Sequence, residues 1–279
     1  MSDGPMLGRL RLSTFVISER RTTVYDGSHR DDNPLDERTA ITVPLVSIDF
    51  RITPRLGLLG STAVPLIART GVVPRAAGAV PFRDEVRGLG DTVVGVWYRG
   101  GAPTRWSWIV NGGLSLPTGA TRAPRFRPEL EGGSLVPMSR LQRGSGTVDP
   151  IVGLSAEHPL RGGRWVSSLT ARVPVAANDD GLRVGASWEL GTGWAHTIQT
   201  HRVMGFGRLE WLHRRQDVFN GTPVLVGGGD WLYLTPGVAV MVGKGVNVQA
   251  DVKLPVYRNL ANRQLDSRAI FQFGLSRTF

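Results

Sequence analysis

Cysteine is absent from the 279 residues, so a disulfide framework, a thiolate metal site and a cysteine nucleophile are all excluded. Lysine is nearly absent: Lys244 and Lys253 are the only two, and arginine carries the formal charge of +10. No apolar run approaches the ~18 residues that a transmembrane helix needs. Hydrophobic residues still make up 41% of the chain, and apolar side chains at every second position can cross a bilayer as barrel strands without forming such a run. A recognisable export signal is missing too, because Met1-Ser2-Asp3-Gly4-Pro5 offers neither a charged n-region nor an apolar h-region. An exported barrel requires one, so on this reading the chain is a mature form with a start Met or has lost its upstream part.

The basic balance invites a nucleic-acid reading. The arginines, however, are dispersed and concentrate in Gly/Pro-rich connections, with no basic helix and no aromatic RNA-stacking motif, so nucleic acid is not expected as a partner. Two readings of the arginines stay open: contact with the phosphates of an outer-leaflet glycolipid, and a compositional bias. The 36 glycines and 18 prolines suit many turns and tight strand packing, and they argue against a helical protein.

What is present is a period of two. Counting back from Phe279 in twos gives Arg277, Leu275, Phe273, Phe271 and Ala269; the other parity gives Thr278, Ser276, Gly274, Gln272, Ile270 and Arg268. Only a strand has that side-chain period, so one face is apolar and aromatic and the other small and polar. Candidate strands lie at about 7–20, 38–51, 55–68, 88–99, 105–117, 146–158, 164–175, 181–190, 194–213, 230–242, 245–257 and 266–279. Within 194–213 the parity slips near His201 to Gly205, which suggests a bulge, and Leu209-Glu210-Trp211-Leu212 is compatible with a helical turn.

The connections alternate in length. Those after the second, fourth, sixth, eighth and tenth strands are short (53–54, 100–104, 161–163, 191–193 and 243–244), while those after the first, third, fifth and ninth are long (21–37, 69–87, 118–145 and 214–229). Those at 176–180 and 258–265 are intermediate. An even number of strands with short turns on one rim and long loops on the other is the asymmetry of an outer-membrane barrel. The tryptophans agree: Trp97, Trp106, Trp108, Trp165, Trp188 and Trp194 lie near the expected short turns, and Trp211 and Trp231 flank the long connection at 214–229, as two aromatic girdles would. The expected fold is a single all-β domain over 1–279, an antiparallel transmembrane barrel of about twelve strands, with periplasmic turns and extracellular loops. Strand 7–20 should close it against strand 266–279.

Alternation assigns a lumen. Asp149, Glu157, Arg172, Asn247, Gln249, Asp251, Lys253, Arg268 and Gln272 fall on the faces opposite the apolar ones and are the expected pore-lining residues. Two outcomes stay open for them, a selectivity-tuning field and mutual pairing that plugs a narrow barrel. The loop at 118–145, with Arg122, Arg125, Arg127, Arg140 and Arg143, either folds inward or sits on the outer surface.

Catalytic signals are weak. None of His29, His158, His196, His201 and His213 has Ser two residues on, so the His-x-Ser pair that outer-membrane phospholipases share is missing. His196 and His201, five apart, point to opposite faces of a regular strand. Asp31-Asp32 and Asp36-Glu37 offer oxygen ligands for a divalent cation or a plain solvated acidic loop, and Asp179-Asp180 offers less. Gly227-Gly228-Gly229 lacks the Gly-Lys-Ser/Thr that a phosphate loop requires. No enzyme, cofactor or metal is expected.

Several short motifs carry a resemblance. They are Gly88-Leu89-Gly90-Asp91 leading to Val96-Trp97-Tyr98-Arg99; Gly113-Leu114-Ser115-Leu116-Pro117-Thr118-Gly119; Leu141-Gln142-Arg143-Gly144-Ser145-Gly146-Thr147-Val148-Asp149; Leu234-Thr235-Pro236-Gly237; and Lys253-Leu254-Pro255-Val256-Tyr257. In their order and spacing, over roughly 85–279, the chain resembles a family of outer-membrane transporters associated with the meta-pathway of phenol degradation. The C-terminal aromatic is similar to the signal by which bacterial outer-membrane barrels are recognised for assembly. The resemblance implies passive passage of small, apolar or aromatic molecules through a barrel in contact with outer-membrane lipids. Rival classes are a structural barrel that binds a partner protein at its loops or periplasmic rim, a lipid-modifying enzyme, and a soluble β-sandwich.

Overall fold

The computed structural model describes residues 9–75, 78–102, 104–121, 142–198, 202–224, 227–243 and 245–279. Their regular structure is entirely β. In chain order it comprises β1 (Leu10–Gly27), β2 (His29–Asp31), β3 (Arg38–Arg51), β4 (Leu56–Ala63), β5 (Leu66–Arg75), β6 (Gly78–Arg87), β7 (Thr92–Gly101) and β8 (Ser107–Leu116). There follow β9 (Asp149–Leu160), β10 (Gly163–Arg172), β11 (Leu182–Arg183), β12 (Ser187–Ile198), β13 (Val203–Arg214), β14 (Val218–Phe219), β15 (Thr222–Pro223), β16 (Gly229–Gly243) and β17 (Val246–Thr278).

Hydrogen bonding runs β1–β17–β16–β13–β12–β10–β9–β8–β7–β4–β3, and β3 pairs back onto β1, closing a ring of eleven elements. Closure is the stable answer for a sheet in an apolar solvent, because an open edge would leave a row of unpaired N–H and C=O groups. The expected seam forms: β1 and β17 pair antiparallel with Arg11 opposite Thr278, Ser13 opposite Ser276 and Val16 opposite Phe273.

One element of the ring counts twice. β17 is 33 residues long and would span ~110 Å if straight, at about 3.3 Å per residue. Yet the Thr278 amide donates to the Gly245 carbonyl at 2.8 Å. Its first part pairs with β16 as far as Leu260 opposite Gly229, and its last part pairs with β1 from Leu260 opposite Gly27. β17 therefore folds back just beyond Leu260, and the eleven elements make twelve passages. Arg258 and Asp266 meet across this reversal at 3.1 Å.

Each wall alternates as the sequence predicts. Phe271 (61% exposed), Phe273 and Leu275 point out, while Gly274 between them and Ser276 just after are buried. Val94, Val96 and Tyr98 on β7, and Leu12 and Val16 on β1, continue the outer apolar band. The 12 residues of β9 or β12, at about 3.3 Å each and tilted ~40°, give a height of ~30 Å, which is that of a bilayer's hydrocarbon core.

Several expectations are corrected. The long connection at 69–87 is itself a hairpin: β5 and β6 pair with each other, and β5 continues the column of β4 along β3. Gly191-Thr192-Gly193 is no turn but the middle of β12, with Gly191 opposite Ser168 on one side and Glu210 on the other. Glycine mimics a turn in the sequence, but Gly193 is there because its neighbour Gly207 passes too close for a β-carbon. The true reversal lies between Ile198 and Val203, where residues 199–201, including His201, are outside the described ones. Leu209 to Leu212 are strand, not helix. Trp188 consequently changes girdle: it sits opposite His213 at the long-loop end, with Trp211, while Trp231 and Trp97, also expected in the girdles, turn inward to Asp266 and Asp49.

The seam generates a direct test. A Ser13→Cys/Ser276→Cys pair should form an intramolecular disulfide that alters the unfolded chain's gel mobility until it is reduced, because the two residues face each other in register. Ser13→Cys combined with Phe271→Cys, off register and on the other face, should not.

Candidate functional site

The ring encloses a lumen whose walls differ. On the β1–β3–β4 side the inward positions hold an apolar group, with Phe15 opposite Leu45 and Ile17 opposite Val43, set between polar ones: Ser13 and Glu19 share the inner face of β1, and Asp49 stands opposite Leu59. β3 stands six passages from β12 in the ring of twelve, so this wall faces a charged one. The alternation of β12, β13, β16 and β17 brings Glu189, Arg208, Glu210, Thr235, Asp251 and Lys253 onto the inner surface.

Five of those side chains, all but Asp251, form one network. Lys253 Nζ donates to Glu189 Oε1 at 3.0 Å and lies 3.4 Å from Glu210 Oε2. The Thr235 hydroxyl donates to the same Glu210 oxygen at 2.5 Å, and Arg208 Nη2 is 3.4 Å from its other oxygen. Gln249 Nε2 donates to Asp251 Oδ2 at 3.0 Å. Lys253 reaches across three neighbouring strands to Glu189, which only an inward side chain on a concave wall can do. With two cations (Arg208, Lys253) against three carboxylates (Glu189, Glu210, Asp251), the wall carries one net negative charge.

A second cluster sits under the long-loop rim and joins three of the sequence motifs. Asp91, of the Gly88-Leu89-Gly90-Asp91 segment, accepts from the Gly119 amide at 3.2 Å and from the amide and hydroxyl of Ser145 at 2.8 and 2.9 Å. Arg172 donates to Asp149 from Nε at 3.0 Å and from Nη2 at 2.5 Å, and lies 3.4 Å from Asp91. Thr147 donates to the other Asp149 oxygen at 2.6 Å. Asp149 is wholly buried, so Arg172 and Thr147 replace the water that its carboxylate has lost. Asn178 Nδ2, from beyond β10, donates to the Ser145 carbonyl at 3.1 Å. The stretches 88–91, 116–121 and 142–149 are thus locked together at the mouth. Arg143 joins them through the Arg87 carbonyl at 3.0 Å. Arg122, Arg125, Arg127 and Arg140 of the same connection lie outside the described residues.

The nine expected pore-lining residues are placed as follows. Asp149 and Arg172 share the rim cluster; Gln249, Asp251 and Lys253 share the charged wall. Glu157 lies nearer the short turns, 3.6 Å from Arg164. Asn247 is half-buried at the start of β17, and Gln272 is half-buried opposite Ile17. Arg268 is exposed. Register breaks in β1 between Glu19 and Arg21 and between Arg21 and Thr23 accompany the burial of Ser267 and Asp266 beside it, and Arg268 Nε donates to the buried Thr23 hydroxyl at 3.3 Å. Glu189, Arg208, Glu210 and Asp91 belong to the walls without being expected there. The series Arg208, Glu210, Leu212, Arg214, interleaved with outward Leu209, Trp211 and His213, holds the period-two signal for two of them.

Three inner aromatics lie flat on the wall: Phe15 over Gly274, Phe206 over Gly237 and Trp97 over Gly57, each where a β-carbon would collide with the ring. Trp97 Nε1 also donates to Asp49 at 2.8 Å. The described histidines of the barrel wall belong to the outer girdles. His158 stacks on Trp106, His196 on Trp194 and His213 on Trp188, with ring centroids 4.6, 5.1 and 4.4 Å apart. The acidic loop before β3 is engaged by separate arginines: Asp31 with Arg263, Asp36 with Arg38 and Glu37 with Arg69.

The rim cluster yields a stability test. Arg172→Met leaves the buried Asp149 charge unpaired and should lower unfolding stability by about 3 kcal/mol, measured by denaturant titration in vesicles. Adding Asp149→Asn should recover more than half of that loss.

No protein-family model matches the chain. No curated protein matches it either. Solved structures do. An outer membrane channel from Pseudomonas putida F1 aligns over 100% of both chains with a TM-score of 0.73 at 12% identity. The translocator domain of the autotransporter NalP from Neisseria meningitidis aligns over 97% of this chain and 88% of its own, with a TM-score of 0.52 at 10% identity. The Pseudomonas putida toluene transporter TodX aligns over 98% and 90%, with a TM-score of 0.50 at 9% identity. The likeness is one of fold: the chain is a closed antiparallel β-barrel of the bacterial outer-membrane type.

Proposed function

We propose that the chain is an outer-membrane channel for passive passage of small molecules, apolar or aromatic in character, with no catalytic residue or cofactor of its own. The observation that carries this reading is the two-sided lumen, in which an apolar patch (Phe15, Ile17, Val43, Leu45) faces a hydrogen-bonded charged wall. An aromatic solute slides along the first while the second stays wet and orders its polar end. The short turns then face the periplasm and the long loops the exterior. The likeness to an outer membrane channel and to a toluene transporter supports the class, and the outer apolar band supports outer-membrane lipid as the surroundings.

A second reading, a barrel that binds a partner protein without transport, draws on the β5–β6 hairpin. That hairpin rises beyond the ring and leaves β6 at the end of the sheet.

Purified protein in liposomes should admit a small aromatic alcohol faster than protein-free liposomes do, and should conduct ions in planar bilayers. A sealed barrel would sink the transport reading and favour the second one. Lys253→Glu changes the charged wall from two cations against three carboxylates to one against four. The reversal potential under a salt gradient should move toward cations, by about threefold in permeability ratio. Leu45→Asn should slow uptake of the aromatic alcohol while leaving ion conductance in place.

A further inference from the structure

The net positive charge is not spread evenly over the barrel. The short connections 52–55, 102–106, 161–162, 199–202 and 244–245 contain no Asp or Glu, and four of them carry an arginine and the fifth a lysine. The long side is mixed in sign, with Asp31, Asp32, Asp36, Glu37, Asp179, Asp180 and Asp217 among arginines such as Arg30, Arg143, Arg215 and Arg263. Arg55, Arg105, Arg161 and Arg202 in the turns, with Arg9 and Arg277 at the seam, are all exposed, and none forms an ion pair among the described residues. They stand at the β3–β4, β7–β8, β9–β10 and β12–β13 reversals and beside β1 and β17, so they encircle the barrel rather than forming a patch.

Their depth is set by the aromatics beside them. Trp106 (56% exposed) adjoins Arg105; Trp165 and Trp194, both exposed and opposite each other in register, lie just inside Arg161 and Arg202; Arg277 sits 4.6 Å over the ring of Phe279. Outward indoles settle at the boundary between acyl chains and headgroups, so guanidinium groups at the turns next to them reach phosphate depth. Arginine matches phosphate with a two-pronged hydrogen bond that lysine lacks. Exposure beside outward indoles, at membrane depth, distinguishes this ring from one built for a soluble acidic partner.

We infer that the short-turn rim is a binding surface for anionic phospholipid headgroups, with Arg55, Arg105, Arg161 and Arg202 as its main contacts. The inference rests on the membrane-barrel reading and goes beyond it, naming the lipid class that this rim selects.

The full chain, reconstituted in phosphatidylcholine vesicles containing about one fifth phosphatidylglycerol, should retain spin-labelled phosphatidylglycerol over spin-labelled phosphatidylcholine about threefold or more. The preference should shrink as salt is raised. In the variant Arg55→Gln/Arg105→Gln/Arg161→Gln/Arg202→Gln it should disappear. Lysine at the same four positions should keep most of it, which separates loss of charge from loss of fold. A long-loop control, Arg38→Gln/Arg83→Gln, should change nothing. Equal retention of the two lipids by the unaltered protein, or a loss as large in the control as in the rim variant, overturns the inference. Binding of soluble polyglutamate by the detergent-solubilised protein, without lipid preference, also overturns it and points to a protein partner. Failure to insert into pure phosphatidylcholine vesicles strikes instead at the barrel reading.

Discussion

The structure depends on one constraint, that every backbone N–H and C=O in the sheet must find a partner within the sheet. A ring meets it, and the ring is completed where β1 pairs with the last part of β17. Once closed, the alternation of side chains has only two destinations. Outward residues are largely apolar and have no protein partner, and the polar residues that go inward must satisfy one another. The buried Asp149 and the crowded Glu210 are consequences of closure: both lie on inner faces where water is scarce, and both are surrounded by donors.

The same constraint explains what the sequence reveals. Period two is dictated by strand geometry, so the terminal strand and its seam with Leu10 to Ile17 are legible directly from residue order. Turns are less legible, because glycine serves two purposes. Gly100 and Gly101 do lead into a reversal, but Gly191 and Gly193 relieve crowding inside a strand, and reading them as a turn misplaces Trp188 by a whole girdle. Arg268 shows a further limit. Its parity does not settle its surroundings: the facing strand's register breaks bury Ser267 and Asp266 beside it and offer it the Thr23 hydroxyl, so that information lies some 245 residues away in β1.

The charged walls were half legible. Alternation finds Lys253 on β17, and Asp251 with its partner Gln249, but not Glu189 and Glu210, because the ion pairs of Lys253 join strands that come together only after the ring has formed. The Gly- and Pro-based motifs behave differently. Three of them, distant in sequence, converge on the Asp91 carboxylate, with Gly119 presenting its amide and Ser145 both amide and hydroxyl. Their small residues let three stretches of backbone approach one acid, which is why their order carries more information than any one of them.

The seam also has a consequence in time. The pairing of Ser13 with Ser276 joins residues from opposite ends of the chain, among the most non-local contacts the fold can make. Loop-closure entropy for such a contact is met late, after the neighbouring hairpins have reduced the distance to be searched. Until then both margins of the growing sheet are templates for other chains. The β17 hairpin, which brings Thr278 back beside Gly245, shortens that exposed interval by presenting the final strand already paired along one side.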